Sequence, residues 1–222
     1  MGSTRLMNNI YIVCDWIIRL LYLNLLWFFF TIAGLVIAGI FPATVAMFSI
    51  LKGWLQEGKN ERVFKSFWKV YKEEFGRANR LGIIVLIISI IFYTDWLFTN
   101  QLSGTLGMIT KGVLLGSGFV FGITLMYAIP VYLQVDGKAF NTIKLAFLIG
   151  ITYPHYTFIM MISIASLMLI SFLLPMAGFL FFASGLGCVL TFFSMHLIRK
   201  IEERTKKCKS KENLNWPSIT KV

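Results

Sequence analysis

The chain has 222 residues, of which 57% are hydrophobic and only 14% are charged, and its formal net charge is +11. A water-soluble domain carries about a quarter of its residues as charges, so this composition excludes an ordinary soluble globule. The basic excess does not indicate nucleic-acid binding, because the charges lie between apolar blocks and at the C-terminus, as the positive-inside rule describes for membrane proteins.

The first predicted elements are a membrane span and a shorter helix that follows it. Residues 6–19 have one apolar and one polar face, which fits either a short interfacial helix or a cytoplasmic extension of the first span. That span is predicted at 21–41, and Pro42 is expected to begin the next helix, 43–56. This helix is short for a hydrocarbon core of about 30 Å. A re-entrant or interfacial helix is therefore the alternative to a span.

The segment 59–80 is rich in both charges and aromatic rings. On a helix, one stripe collects Phe64, Phe67, Trp68, Tyr71, Phe75 and Ala78, and the opposite side carries Arg62, Lys65, Lys69, Lys72 and Glu73. This pattern predicts a cytoplasmic amphipathic helix in the membrane–water interface. Two roles remain open: an anchor on anionic lipid, worth about 1 kcal/mol per basic residue, or a docking surface for a partner. The candidate interface residues are Phe64, Lys65, Phe67, Trp68, Lys69, Tyr71, Lys72 and Phe75.

Two further spans are predicted at 81–98 and 111–133. The second contains Gly112, Gly116, Gly118 and Gly122, which include two small-xxx-small pairs. Such pairs let a neighbouring helix approach closely, so we interpret them as a helix-packing face, with a pore lining as the alternative. Residues 134–153 then predict a second, weaker interfacial helix.

The last two spans are predicted at 155–174 and 176–198, joined by a tight turn at Pro175. Residues 1–200 form one all-α transmembrane helical bundle of about six spans in three hairpins, and residues 201–222 form a basic cytoplasmic tail. With this topology 20 of the 21 Lys and Arg residues lie on the side of the two termini, and only Lys111 lies opposite. The positive-inside rule makes the shared side cytoplasmic.

The spans contain no site that is typical of an enzyme. No ionisable residue occupies the middle of a span, whereas proton-coupled transporters and intramembrane enzymes use such groups. His155, His196 and Asp95 lie near span ends, and Asn24 and Thr31 are expected to form hydrogen bonds between helices. No phosphate loop or nucleophile elbow occurs. We expect no catalytic residue, cofactor, metal site or disulfide framework, since Cys14, Cys188 and Cys208 are odd in number and widely spaced.

One family resemblance covers roughly residues 20–82. Its residues are Asn24, Trp27, Gly34, Gly39, Pro42, Ala43, Thr44, Trp54, Phe64, Lys65, Phe67, Trp68, Phe75, Ala78, Asn79 and Gly82. In this pattern the chain resembles the YesL-like family of small bacterial integral membrane proteins. The resemblance implies a multi-pass protein of the bacterial cytoplasmic membrane. It also implies a part in carbohydrate uptake or its sensing, because members commonly lie beside genes for carbohydrate ABC transporters and two-component regulators.

Three functions follow as hypotheses. The first is a non-enzymatic accessory protein of a carbohydrate ABC uptake system, with a permease, ATPase or sensor kinase subunit as its partner. The second is a small transporter or channel, a homo-oligomer through the face from Gly112 to Gly122. The third is a structural protein whose partner is the lipid bilayer itself.

Overall fold

The computed structural model describes residues 2–57, 62–134 and 139–214, and all regular elements in these ranges are α-helices. The seven helices are α1 (Gly2–Ala33), α2 (Ile37–Glu57), α3 (Val63–Gln101), α4 (Gly104–Tyr132), α5 (Ala139–Thr152), α6 (Pro154–Leu173) and α7 (Pro175–Leu214). Six of them are long and apolar enough to cross a membrane. The prediction of an all-α protein with six helices that are candidate membrane spans is therefore confirmed.

The break between the first two helices lies at residues 34–36, so the prediction that Pro42 separates them was wrong. Leu35 and Val36 have φ angles of 59° and 60°, and this left-handed conformation cannot continue a right-handed helix. Pro42 lies inside α2. As a result α2 has 21 residues, which corresponds to a length of about 31 Å, and it is long enough to cross the bilayer.

Helix α3 joins two segments that were predicted as separate. The aromatic and basic segment and the span that follows it form one continuous helix of 39 residues, about 58 Å long. The helix continues through the change in polarity because Lys, Glu and Arg are good helix formers and no Gly–Pro signal interrupts them. Lys59, at the start of the predicted segment, lies outside the described residues.

Three helical hairpins form the bundle, as predicted. In α1 and α2, Trp16 contacts Trp54 with ring centroids 6.1 Å apart. In α3 and α4, the rings of Phe92 and Phe121 stack at 5.4 Å. Helices α6 and α7 are joined at Leu174 and pack through small residues, because a Cβ on Gly178 would lie within 3.0 Å of Ser171.

The core is centred on α2 and includes buried residues of all the other helices, and α7 closes it by packing on the α1–α2 hairpin. Asn24 is buried and donates a hydrogen bond from Nδ2 to the carbonyl of Phe179, at 3.1 Å, which confirms the predicted interhelical bond. A Cβ on Gly187 would lie 2.9 Å from Leu51 Cδ1, so this glycine lets α7 approach α2 closely. The hydroxyl of Thr31 is buried and has no hydrogen-bond partner among the described residues.

The remaining predicted elements are short or peripheral. Helix α5 confirms the second short helix, which was predicted within 134–153, although residues 135–138 lie outside the described ranges. The first part of the predicted tail continues α7 as far as Leu214. Residues 215–222 also lie outside the described ranges.

Candidate functional site

The aromatic face of α3 packs around one ring of α1. The ring of Phe30 is 2% exposed, and its centroid lies 5.0 Å from that of Phe67 and 5.0 Å from that of Tyr71. The rings of Trp68 and Phe64 follow at 5.4 Å and 6.0 Å. Residues three and four positions apart share a helix face, so all four rings of α3 reach the same point. Offset and tilted aromatic pairs of this kind add about 0.5–1.5 kcal/mol each beyond area burial.

A hydrogen bond and a close backbone approach fix this contact. Tyr71 Oη donates to the carbonyl of Phe30 at 3.2 Å, near the end of α1, where helix carbonyls need partners from outside the helix. A Cβ on Gly34 would lie within 3.0 Å of both Gly39 and Tyr71 Oη. Only glycine at position 34 therefore fits between α1, α2 and the tyrosine.

The predicted stripe of rings divides into a buried and an accessible part. Phe67 and Tyr71 are interior residues, so their assignment to a lipid or partner interface was wrong. Helix α1 covers their side chains. Sequence periodicity shows which residues share a face but not which of them another helix covers. Phe64, Trp68 and Phe75 remain 50%, 42% and 37% exposed. These three rings are the part of the stripe that another molecule can contact.

Exposed lysines border the accessible rings. Lys65, Lys69 and Lys72 are exposed, and no carboxylate of the described residues forms an ion pair with them. Lys72 Nζ lies 5.0 Å from the ring centroid of Trp68, within the range of a cation–π contact. We call the six residues Phe64, Lys65, Trp68, Lys69, Lys72 and Phe75 the aromatic-basic surface.

One acidic residue of α3 has a structural role that the sequence did not reveal. Tyr132 Oη of α4 donates to Glu74 Oε2 at 2.5 Å, and Arg77 Nη1 lies 3.5 Å from Glu74 Oε1. This contact joins the amphipathic half of α3 to the end of α4. No local motif marks it, because the two residues are 58 positions apart.

The glycine face of α4 does not approach another described helix of this chain closely, so its predicted role in helix packing stays a prediction, for contact between two copies of the chain. A Cβ on Gly112, Gly116 or Gly122 would meet no atom within 4 Å, and one on Gly118 would only reach Phe92 at 4.0 Å. The glycines that permit close helix approach are elsewhere. They are Gly34, Gly39, Gly82, Gly150, Gly178 and Gly187.

The two histidines lie together around one tyrosine. The ring of Tyr156 lies 4.6 Å from that of His155 and 6.2 Å from that of His196, between centroids. Lys200 Nζ lies 3.4 Å from Tyr156 Oη. Among residues 2–57, 62–134 and 139–214, no group of three or more His, Cys, Asp or Glu side chains is placed to hold a metal ion.

The residues that carry the family resemblance form one packing unit. Trp27 Nε1 donates to Thr44 Oγ1 at 3.0 Å, which joins α1 to α2. A Cβ on Gly82 would overlap the ring of Phe41, so this glycine lets α3 pack against α2. The motif thus describes the junction of α1, α2 and α3.

Comparison with known proteins finds a family match over this same region. Residues 20–96 match the family described as a protein of unknown function, DUF624. The chain is 36% identical over 161 residues to the uncharacterized protein YteU of Bacillus subtilis, covering 72% of each chain. It is 30% identical over 205 residues to the uncharacterized protein YesL of the same organism, covering 91% of this chain and 96% of YesL. No solved structure matches the chain.

Proposed function

This chain belongs to the YesL-like family of unknown function, and we propose that it is a non-enzymatic accessory protein of the bacterial cytoplasmic membrane. In this proposal both termini are cytoplasmic. The aromatic-basic surface docks a subunit of a carbohydrate ABC uptake system or of its sensor kinase. The carbohydrate assignment follows from the resemblance to the YesL-like family, and the docking assignment follows from the geometry of α3.

The observation that carries the proposal is the rigid support of the aromatic-basic surface. A simple lipid anchor needs only a mobile amphipathic helix whose rings all face the bilayer. Here the rings of Phe67 and Tyr71 are buried against Phe30. Trp68 and Phe75 therefore stand on a helix that is fixed to the bundle. Preorganised aromatic anchors bordered by cations are typical of protein interfaces.

The charge of the surface indicates the kind of partner. The three exposed lysines, Lys65, Lys69 and Lys72, have no acidic partner among the described residues. Electrostatic complementarity mainly sets association rate and specificity. An acidic cytoplasmic loop or helix of a permease, ATPase or kinase fits this surface.

Affinity purification from native membranes tests the proposal. Wild type is expected to retain permease, ATPase or kinase subunits, and the combined variant Phe64→Ser/Lys65→Glu/Lys69→Glu is expected to lose them. Phe98→Ser is the matched control, because Phe98 is also exposed and lies on the same helix. Capture of none of these subunits by wild type, or equal capture by the docking variant, contradicts the proposal.

A second candidate function is an oligomeric transporter or channel. The observation that favours it is the glycine face of Gly112, Gly116 and Gly122. A Cβ added there would meet no atom of the described residues within 4 Å, and such a face suits close helix association in a membrane. Solute flux or conductance in proteoliposomes of the pure protein tests this function. Replacing Gly112 and Gly116 with Leu should then abolish both the flux and the oligomer, and inert vesicles of wild type exclude it.

A further inference from the structure

A cleft lies between α4 and α5. None of its lining residues belongs to the aromatic-basic surface. Its volume is about 300 Å³. The wall on α4 includes Val120 and Phe121, and the wall on α5 includes Phe140 and Phe147. Phe140 is 71% exposed, so the cleft opens to the surroundings of the protein.

The cleft is lined mainly by apolar side chains, and the hydroxyl groups in its lining already form hydrogen bonds. Its two hydroxyl residues are Ser117 and Thr124. Ser117 Oγ donates to the carbonyl of Val113 at 2.9 Å, and Thr124 Oγ1 donates to that of Val120 at 2.9 Å. Because both hydroxyls donate to carbonyls of their own helix, neither is a free donor for a polar solute, and this part of the cleft suits a hydrocarbon chain.

Among the described residues that line the cleft, Lys144 is the only one with a charged side chain. It is exposed, and no carboxylate of the described residues pairs with it. It lies on α5, which has 14 residues and is therefore about 21 Å long, too short to cross the hydrocarbon core of about 30 Å. A lysine on such a helix can extend its ammonium group toward the lipid headgroups.

We propose that this cleft binds one anionic phospholipid, with an acyl chain between α4 and α5 and the phosphate on Lys144. An apolar groove with one uncompensated cation complements an amphiphile that has an apolar tail and an anionic head. Phosphatidylcholine could also place its phosphate on Lys144, but its own choline cation balances that phosphate, so the lysine would gain no net counter-charge. An apolar helix of another protein would bury Lys144 unpaired, which is unfavourable.

Native mass spectrometry of the delipidated protein tests the proposal, with phosphatidylglycerol and phosphatidylcholine as probes. Wild type is expected to bind one phosphatidylglycerol more tightly than phosphatidylcholine. Lys144→Gln should weaken phosphatidylglycerol binding about fivefold, the factor that corresponds to about 1 kcal/mol per basic residue, and weaken phosphatidylcholine binding by a smaller factor. Val120→Trp fills the cleft and should weaken both lipids. Arg199→Gln, which removes one positive charge from an exposed site on α7, should bind both lipids as wild type does.

Val120→Trp could fail to fold, which a loss of helical content or of its gel-filtration peak would show. In that case Ser117→Leu, a smaller change that fills the same cleft, is used instead. Equal binding of the two lipids by wild type overturns the proposal, and so does unchanged phosphatidylglycerol binding in Lys144→Gln. Formation of a dimer that displaces lipid from the cleft also overturns the proposal, because the cleft would then be an interface between two copies. None of these outcomes depends on the aromatic-basic surface or on a partner protein.

Discussion

Gly34 illustrates how one missing side chain determines the packing of three helices. Its Cα lies where the end of α1, the start of α2 and the hydroxyl of Tyr71 meet, and a Cβ there would lie within 3.0 Å of both neighbours. Gly34→Ala is therefore expected to destabilise the protein by about 1–3 kcal/mol, the usual cost of overpacking. The midpoint of thermal unfolding in detergent measures the change.

Gly53→Ala is the control for this substitution. Gly53 lies inside α2, and a Cβ there meets no atom within 4 Å, so alanine should stabilise the helix by about 0.5–1 kcal/mol. A midpoint for Gly34→Ala that equals or exceeds that of Gly53→Ala contradicts the close packing around Tyr71.

Val36 carries backbone strain that glycine would remove. Its φ angle is 60°, and the left-handed conformation costs an L-residue roughly 1–2 kcal/mol. Glycine regains this energy but loses about 0.5–1 kcal/mol in chain entropy. Val36→Gly should thus raise the unfolding midpoint slightly, while Ala33→Gly, in the last turn of α1, should not. A lower midpoint for Val36→Gly than for Ala33→Gly is incompatible with a left-handed turn at 34–36.

At the scale of elements, Phe30 holds the first half of α3 on the bundle. Phe30→Ala removes the ring that Phe67, Trp68 and Tyr71 share, and large-to-small changes of a buried Phe cost about 3–5 kcal/mol. We expect amide hydrogen exchange to rise selectively in residues 63–75. Phe29→Ala is the control, because Phe29 is the preceding residue and is 61% exposed. Equal exchange in the two variants would mean that α1 does not support this segment.

The elements also show what the sequence can predict. The six spans follow from apolar length alone, because a bilayer demands it. The helix break at Leu35 and Val36 could not be predicted, since left-handed residues other than glycine and asparagine have no sequence signal. The continuity of α3 was missed because a change from charged to apolar residues marks a change of environment and not the end of a helix.

The candidate site was predictable only in part for a related reason. Helical periodicity correctly placed Phe64, Phe67, Trp68 and Tyr71 on one face. Which of these rings is covered depends on Phe30, more than 30 residues earlier in the chain, and on a glycine that admits Tyr71. Likewise, the small residues of α4 resemble a packing face, but whether a neighbour occupies it is a property of the tertiary structure.

At the scale of the whole molecule, the side on which each terminus lies remains a prediction, and it decides whether α2 spans. Cys14 is exposed and unpaired, and Ser103 lies in the turn between α3 and α4. In a variant with Cys188→Ser and Cys208→Ser, an impermeant maleimide should label Cys14 only in inverted vesicles. In a variant that also carries Cys14→Ser, Ser103→Cys should be labelled in intact cells. The reason is that this topology leaves only Lys111 among the 21 basic residues on the outer side, as the positive-inside rule favours.

If Cys14 and Ser103→Cys are both labelled in intact cells, α2 does not cross the membrane. The aromatic-basic surface would stay cytoplasmic in that case, because a flipped N-terminus moves only Arg5 and Arg19 outward. Labelling of Ser103→Cys only in inverted vesicles would place α3 in the opposite direction and exclude a cytoplasmic partner for its surface.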